Sequence, residues 1–380
     1  MLVNNVRTFI SNLNSKHDDD STDRLNYVIT NYILLVCASL IFANNYVGEP
    51  LQCWVPKQWN GVWEKFSEQY CFIENTYFTS MNDTNLPAEH RREDKEMIYY
   101  QWVPFILVLM ALFFYLPRAV WNIFSRYSDL AVSDMMNAAR HSAKNLNQDV
   151  PFKVMATRIN TCNSRPAPVS SLRYNSSLFN LYIIVKTMIF LNLFIQFFFL
   201  NRFLGSPYYF WGWGVLGDLW AGRQWQESGH FPRVAFCDLT VREMGNVNKW
   251  TIQCVLMINM YNEKIFFAIW WWMMFLLIIT GVNYLSWLIR RFSVVNRRRF
   301  LHALYSCIFD NVTDEKRIDY FYSQVLKNDG VFILRLLDAN AGRIHSSTLF
   351  EEIWKSHEST SIAPDEESHD DNEKGHLITK

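Results

Sequence analysis

Four of the seven cysteines, Cys53, Cys71, Cys237 and Cys254, have the type and spacing for one chemistry, oxidation in pairs to disulfides. They fall two to a loop, in two polar loops each bounded by long apolar segments, and the other three cysteines fall in neither loop. Disulfides persist in oxidising compartments, so loops that collect the cysteine pairs are expected outside the cell. Four cysteines allow three pairings, all open at this point. Other chemistry finds no support. Gly212-Trp213-Gly214-Val215-Leu216-Gly217 has the spacing of a dinucleotide loop, but it sits between tryptophans with no βαβ strand before it. His230 stands alone beside Pro232, which suits a turn or packing role. There is no HExxH, CxxC or Walker-type loop. No catalytic residue, cofactor or metal site is expected, and the chain reads as a non-enzyme.

The elements that must position these cysteines are membrane spans. A bilayer core of about 30 Å needs roughly 20 mostly apolar helical residues. Tyr27 to Tyr46, Met97 to Leu116 and Ile265 to Ile289 meet that length with no charged residue, and Leu178 to Phe203 meets it with only Lys186 and Arg202. Whole-chain totals hide this. The net charge is zero, and the near-zero mean hydropathy averages spans with polar loops. The 16% aromatic content is high for a soluble domain, and Trp and Tyr cluster near span ends, where amphipathic rings favour the interface.

Four spans put both cysteine loops on one side. Arg290, Arg291, Arg297, Arg298 and Arg299 follow the fourth span, and Arg118 and Arg126 close the second, so these ends read as cytoplasmic. The segment joining spans two and three holds eight Lys plus Arg against five in each cysteine loop, although Arg91, Arg92 and Lys95 blur the contrast. Both termini are expected inside, with no cleavable signal before the first span. The expected organisation is a cytoplasmic amphipathic segment over 1–26, spans at 27–46, 97–116, 178–203 and 265–289, and outer loops at 47–96 and 204–264. A cytoplasmic loop at 117–177, a helical cytoplasmic region at 290–355 and an acidic, unstructured tail at 356–380 complete it. The fold class is all-α and polytopic, a four-helix subunit with disulfide-linked outer loops that allow short β-strands, and a helical cytoplasmic domain.

Several polar residues have structural readings. Val6, Phe9, Ile10 and Leu13 fit the stripe of an amphipathic helix, which could lie on the membrane, pack on cytoplasmic segments or enter a pore. Asp18, Asp19 and Asp20 read as a solvated linker, and Ser21, Thr22 and Asp23 offer capping oxygens to the first span. Lys186, near the cytoplasmic end of its span, is expected to snorkel. Asn192 and Gln196, four apart, suit a helix-packing face at least as well as a water-filled path. Pro104 is expected to kink the second span.

Tyr99-Tyr100-Gln101-Trp102-Val103-Pro104-Phe105 resembles the YYQWV signature that opens the second span of innexins, the invertebrate gap-junction proteins related to pannexins. Pro50 to Pro56 around Cys53 resembles their first-loop motif, and His230-Phe231-Pro232-Arg233 before Cys237 their second-loop motif. Two cysteines per loop matches innexins, where connexins carry three. The resemblance implies a ring of identical or related subunits around an aqueous pore in the plasma membrane, surrounded by lipid. Two rings on adjacent cells dock to pass ions and small metabolites, with no nucleic acid involved. It makes the N-terminal stripe a pore funnel, with Val3, Val6, Phe9, Ile10 and Leu13 on the wall and Asn4, Asn5 and Arg7 nearer the lumen. It favours Cys53 with Cys254 and Cys71 with Cys237, one rung near the membrane and the other stiffening the loop tips.

Asn82-Asp83-Thr84 in the first outer loop is an N-glycosylation sequon. A glycan there would hold rings apart and favour an undocked hemichannel. Short sequons also arise by chance, as Asn175 and Asn311 illustrate on the cytoplasmic side. A four-span adhesion or scaffold protein of claudin-like topology is the alternative from another class, though it needs no amphipathic N-terminal stripe.

Overall fold

The computed structural model describes residues 18–74, 76–79, 86–93, 96–126, 130, 132–144, 150–164, 177–203, 211–222, 231–309 and 315–374. In chain order the elements are α1 (Ser21–Tyr46, with a π turn at Leu25–Ile29), β1 (Leu51–Trp54), α2 (Gly61–Glu74), β2 (Thr76–Tyr77), α3 (Glu89–Glu93) and β3 (Glu96–Met97). Then come α4 (Tyr99–Arg126), α5 (Val132–Lys144), α6 (Val150–Ser164), α7 (Ser177–Phe203), α8 (Trp211–Trp220), β4 (Val234–Glu243) and β5 (Asn246–Leu256). The chain continues through α9 (Met257–Phe292), α10 (Val294–Tyr305), α11 (Glu315–Phe321), a π turn at Tyr322–Leu326, α12 (Lys327–Ala341) and α13 (Arg343–Lys374).

Helices α1, α4, α7 and α9 are long and apolar enough to cross a membrane. The shortest has 26 residues, about 39 Å of helix at 1.5 Å per residue. Three of the expected spans fall inside these helices, and the second overlaps α4 with shifted ends. Met97 belongs to β3 and not to the second span, and α9 begins directly after β5. Pro104 lies inside a continuous α4. It has no N–H for the carbonyl of Tyr100, and Asn45 donates to that carbonyl instead at 3.3 Å.

The chain divides into two compact units. One comprises Ile29–Tyr115 and Leu191–Ile278. Its sheet has the order β1-β5-β4-β2-β3, every pairing antiparallel, so strands from the two cysteine loops interleave. The β4–β5 hairpin closes through Met244 and Gly245, both at positive φ, as a two-residue hairpin turn of matching twist requires.

The other unit takes the described parts of Met1–Val28, Leu116–Phe190 and Ile279–Lys380. Its core gathers around α12, in which Gly330 through Leu337 are all buried, the pattern of a helix covered on every side. Helices α5 and α13 pack on α12, and α6 packs on α13. Trp121, Tyr182, Trp287 and Phe332 meet ring to ring within this core. Asp329 accepts from the backbone N–H groups of Leu178 and Phe179, capping the start of α7.

The tail expected to be unstructured from residue 356 is instead part of α13, whose backbone continues to Lys374. Glu358 accepts from Trp354 Nε1 at 3.1 Å and pairs with Arg317 at 2.6 Å, which fastens the helix past the expected boundary.

Candidate functional site

Two sites gather the residues the sequence singles out, one in each unit. The first is the sheet. Cys53 on β1 lies directly opposite Cys254 on β5, and the two are bonded with Cα atoms 4.0 Å apart. Cys71 near the end of α2 is bonded to Cys237 on β4. This is the pairing the family resemblance implies. The placement of the rungs differs from expectation. The sulfurs of Cys53, Cys71 and Cys254 all lie within 4.8 Å of one another, so the bridges are adjacent and not spread between membrane and loop tips. Cysteines 237 and 254 sit on neighbouring strands, Cys237 opposite Ile252, which brings the second bridge beside the first. The second bridge fastens helix α2 to the sheet, and the hairpin tip at Met244 carries no bridge.

The Tyr99 to Pro104 motif has a physical role here. The last carbonyls of a helix have no partner within it. At the end of α2, Phe72 O accepts from Gln101 Nε2 at 2.5 Å and from Tyr100 OH at 3.4 Å. Tyr100 is fully buried against the Phe72 ring, and Tyr99 packs edge-on to Phe231. Val103 is buried while Trp102 is exposed, the amphipathic placement of an interfacial tryptophan. The motif therefore holds the Cys71-bearing helix on the start of α4. In the second-loop motif, Arg233 pairs with Glu263 at 3.1 Å and Pro232 O accepts from Asn259. Asp238 on β4 collects Arg92 at 2.9 Å, Thr251 and Tyr77. Burial, and then the Asp238 carboxylate, push the Tyr77 phenol up to about 12, so it remains a donor.

Within the glycine run, Gly212 has a packing role. Gly212 lies against Trp270, and a Cβ there would fall on the indole ring, so the residue is glycine to admit the tryptophan. The three close cysteine sulfurs are all disulfide-bonded and offer no thiolate to a metal.

The second site was not legible as a site. Asp18 and Asp19 are 1% and 3% exposed, so they form no solvated linker. Asp18 pairs with Arg118 at 2.6 Å and accepts from Trp121, while Asp19 pairs with Arg118 at 3.0 Å. Lys186, only 2% exposed, does not snorkel. It pairs with Asp23 at 2.8 Å and Asp20 at 3.4 Å and also donates to Asn283. Tyr182 donates to Asp23, and Trp287 and Asn283 donate to Asp20. Asn340 on α12 donates to the Asp19 carbonyl and accepts from Arg24. The capping expected of Ser21 to Asp23 is absent, because Asp20 occupies the cap position and makes no side-chain cap, its oxygen being turned to Trp287 and Asn283. Burial pushes the Asp19 carboxyl up to about 7 against the pull of Arg118. Burial raises Asp20 too, but Lys186 and the Trp287 and Asn283 hydrogen bonds outweigh it and hold that carboxyl low.

One signal could have found this cluster. A lysine inside a span and an arginine at a span end need partners, and the acidic run beside the first span supplies them. Gln196 donates to Asn192 at 3.0 Å and to Met110 O at 3.4 Å, the helix-packing outcome. Val3, Asn4, Asn5, Val6, Arg7, Phe9, Ile10 and Leu13 lie outside the described residues, as do Asn82, Asn175, His230 and Asn311.

Comparison with known proteins gives a consistent result. The family model described as Innexin matches residues 19–357. Innexin-16 of Caenorhabditis elegans is 47% identical over 355 residues, covering 93% of this chain and 94% of that protein. Innexin-17 of the same species is 38% identical, covering 89% and 94%, and its Innexin unc-9 is 36% identical, covering 94% and 97%.

Proposed function

The chain belongs to the innexin family and is a subunit of a gap-junction channel, and from that premise we propose its orientation and pore. The disulfide-braced sheet faces outside and both termini lie in the cytoplasm. The observation that carries this reading is the segregation of cysteine states. Both bridges join the α1–α4 connection to the α7–α9 connection, whereas Cys37 and Cys307 are free. The arginines after α9 support the same direction. Identical or related subunits form the ring, the lipid bilayer surrounds it, and no catalytic activity is assigned.

Residues 3–13 form the pore funnel in this reading. Its support is the amphipathic stripe, followed at Asp18 by an anchor that fixes where the segment enters the fold. Deleting residues 2 to 13 is expected to change single-channel conductance, and an unchanged conductance removes the funnel. For orientation, a C-terminal epitope should be reachable by antibody only after permeabilisation, and labelling of intact cells reverses the assignment. The Asn82 sequon favours a second state, a hemichannel held undocked by a glycan. Under that reading Asn82→Gln raises dye coupling between paired cells and abolishes a deglycosylation mobility shift.

A further inference from the structure

The corner between α9 and α10 concentrates positive charge that the described residues neutralise only in part. Arg290 and Arg291 end α9, and Arg297, Arg298 and Arg299 lie in the first turns of α10. Arg335 on α12 reaches into the corner, donating Nη1 to the Arg290 carbonyl and Nη2 to the Asn296 carbonyl, each at 3.2 Å. Arg335 is 5% exposed, and its buried Nε has no hydrogen-bond partner.

Carboxylates are present nearby but used elsewhere. Asp319 pairs with Arg298, and Asp338 pairs with Arg343. Among the described residues, no carboxylate lies within ion-pair distance of Arg290, Arg297, Arg299 or Arg335. Arg290 and Arg297 rest instead on the rings of Trp287 and Tyr322. Burial, and then the charges of Arg290 and Arg297, lower Arg335 to about 10, the behaviour of a cation among cations. A buried cation without a counter-charge is costly, and its neutralisation is strongly favoured.

The charge requirement of a membrane protein's inner ends explains arginines near α9. It does not explain why Arg290 and Arg297 converge on a buried third, Arg335, with no acidic partner among the described residues. The surroundings identify the source of the missing anion. Phe292, Val294 and Val295, between Arg291 and Arg297, are exposed apolar side chains, Phe292 at 73%. Arginines interleaved with exposed apolar residues directly after a spanning helix match a lipid at the headgroup level, with acyl chains beside the apolar groups and phosphates on the arginines. We propose that the α9–α10 corner, with Arg290, Arg297, Arg299 and Arg335, binds the polyanionic headgroup of a phosphorylated inositol phospholipid.

A lipid of the inner leaflet suits the orientation proposed above. Binding in detergent does not depend on orientation, so the two ideas fail separately. The test uses the purified full-length channel in neutral detergent, titrated with dioctanoyl phosphatidylinositol 4,5-bisphosphate, dioctanoyl phosphatidylcholine and inorganic phosphate, with bound ligand counted by native mass spectrometry. The bisphosphate lipid is expected to bind and phosphatidylcholine not. Replacing half-buried Arg297 and exposed Arg299 together, Arg297→Gln with Arg299→Gln, should weaken lipid binding about thirtyfold if each arginine contributes as surface-adjacent basic residues do. Arg297→Lys with Arg299→Lys should recover most of it, and Arg242→Gln on the hairpin should change nothing. Equal binding of phosphatidylcholine, or unchanged affinity in the double glutamine variant, overturns the proposal. Displacement of the lipid by inorganic phosphate at equal concentration reassigns the site to a soluble anion and likewise overturns it.

Discussion

In the unit that contains the sheet, two covalent bridges and an antiparallel ladder tie the α1–α4 connection to the α7–α9 connection. In the other unit no disulfide occurs among the described residues, and the equivalent fastening of the N-terminal strand of chain is ionic. Four carboxylates there, Asp18, Asp19, Asp20 and Asp23, meet Arg118, Lys186 and Arg24 in a nearly dry setting. Under the orientation proposed above, the difference is the one that redox conditions would select. Thiols can be locked on the oxidising side, and a reducing side leaves charge and packing as the available fasteners. It also separates two kinds of stability. A disulfide acts largely by restricting the unfolded chain, whereas a buried ion pair is stable only while every partner is present.

The largest expected effect tests the ionic side. Arg118→Ala strands Asp18 and Asp19 in a buried position and should destabilise by about 3–5 kcal/mol. Thermal unfolding of the solubilised protein measures this, and adding Asp18→Asn and Asp19→Asn should recover part of the loss. If the triple variant is no better than Arg118→Ala alone, the network is not the fastener. On the covalent side, Cys237→Ser removes the bridge from α2 to β4 and should cost about 2–4 kcal/mol. Non-reducing peptide mapping of that variant should still recover Cys53 joined to Cys254, because the β1–β5 register alone places them opposite.

The pH response should separate two carboxylates within the ionic cluster. The Asp19 carboxyl is pushed up to about 7 by burial, so between its ordinary value and pH 7 the folded state holds a proton that the unfolded state has lost. Stability from this group therefore falls as pH rises from about 4 to 7. Asp20 has the opposite sign. Its lowered carboxyl contributes stability above the ordinary carboxylate value, lost only on further acidification. Asp19→Asn should flatten the dependence of melting temperature on pH between about 5 and 8, and a slope equal to the unsubstituted protein's would assign the response to another group.

What could be read from the sequence follows the same division. The spans and the two loops that carry the disulfides were legible because apolar length and cysteine placement are local properties of the chain. The interleaved sheet was not, since β2 and β3 are two residues each and exist only through pairing with distant partners. The acidic cluster was misread because three consecutive aspartates look solvated until Arg118 and Lys186, about a hundred residues or more away, are brought to them. Asp18 to Asp20 and Lys186 each looked anomalous alone, and buried charge makes sense only as a set. The tail was misjudged for a related reason, since Arg317 and Trp354 fasten Glu358 through contacts that composition does not reveal.

The smallest effect gives the sharpest comparison. Gln101→Ala removes the donors to the Phe72 and Ile73 carbonyls at the end of α2. A single hydrogen bond is worth about 0.5–1.5 kcal/mol net. The lower end is expected here, because Cys71–Cys237 holds the same helix end whether or not its carbonyls are capped, and Tyr100 still reaches Phe72 O. In a Cys71→Ser, Cys237→Ser background that covalent backup is gone, and Gln101→Ala should then cost more than it does with the bridge intact. A double-mutant cycle on melting temperature measures the coupling. If the glutamine costs the same in both backgrounds, bridge and motif act independently, and the covalent unit owes none of its tolerance to the disulfide.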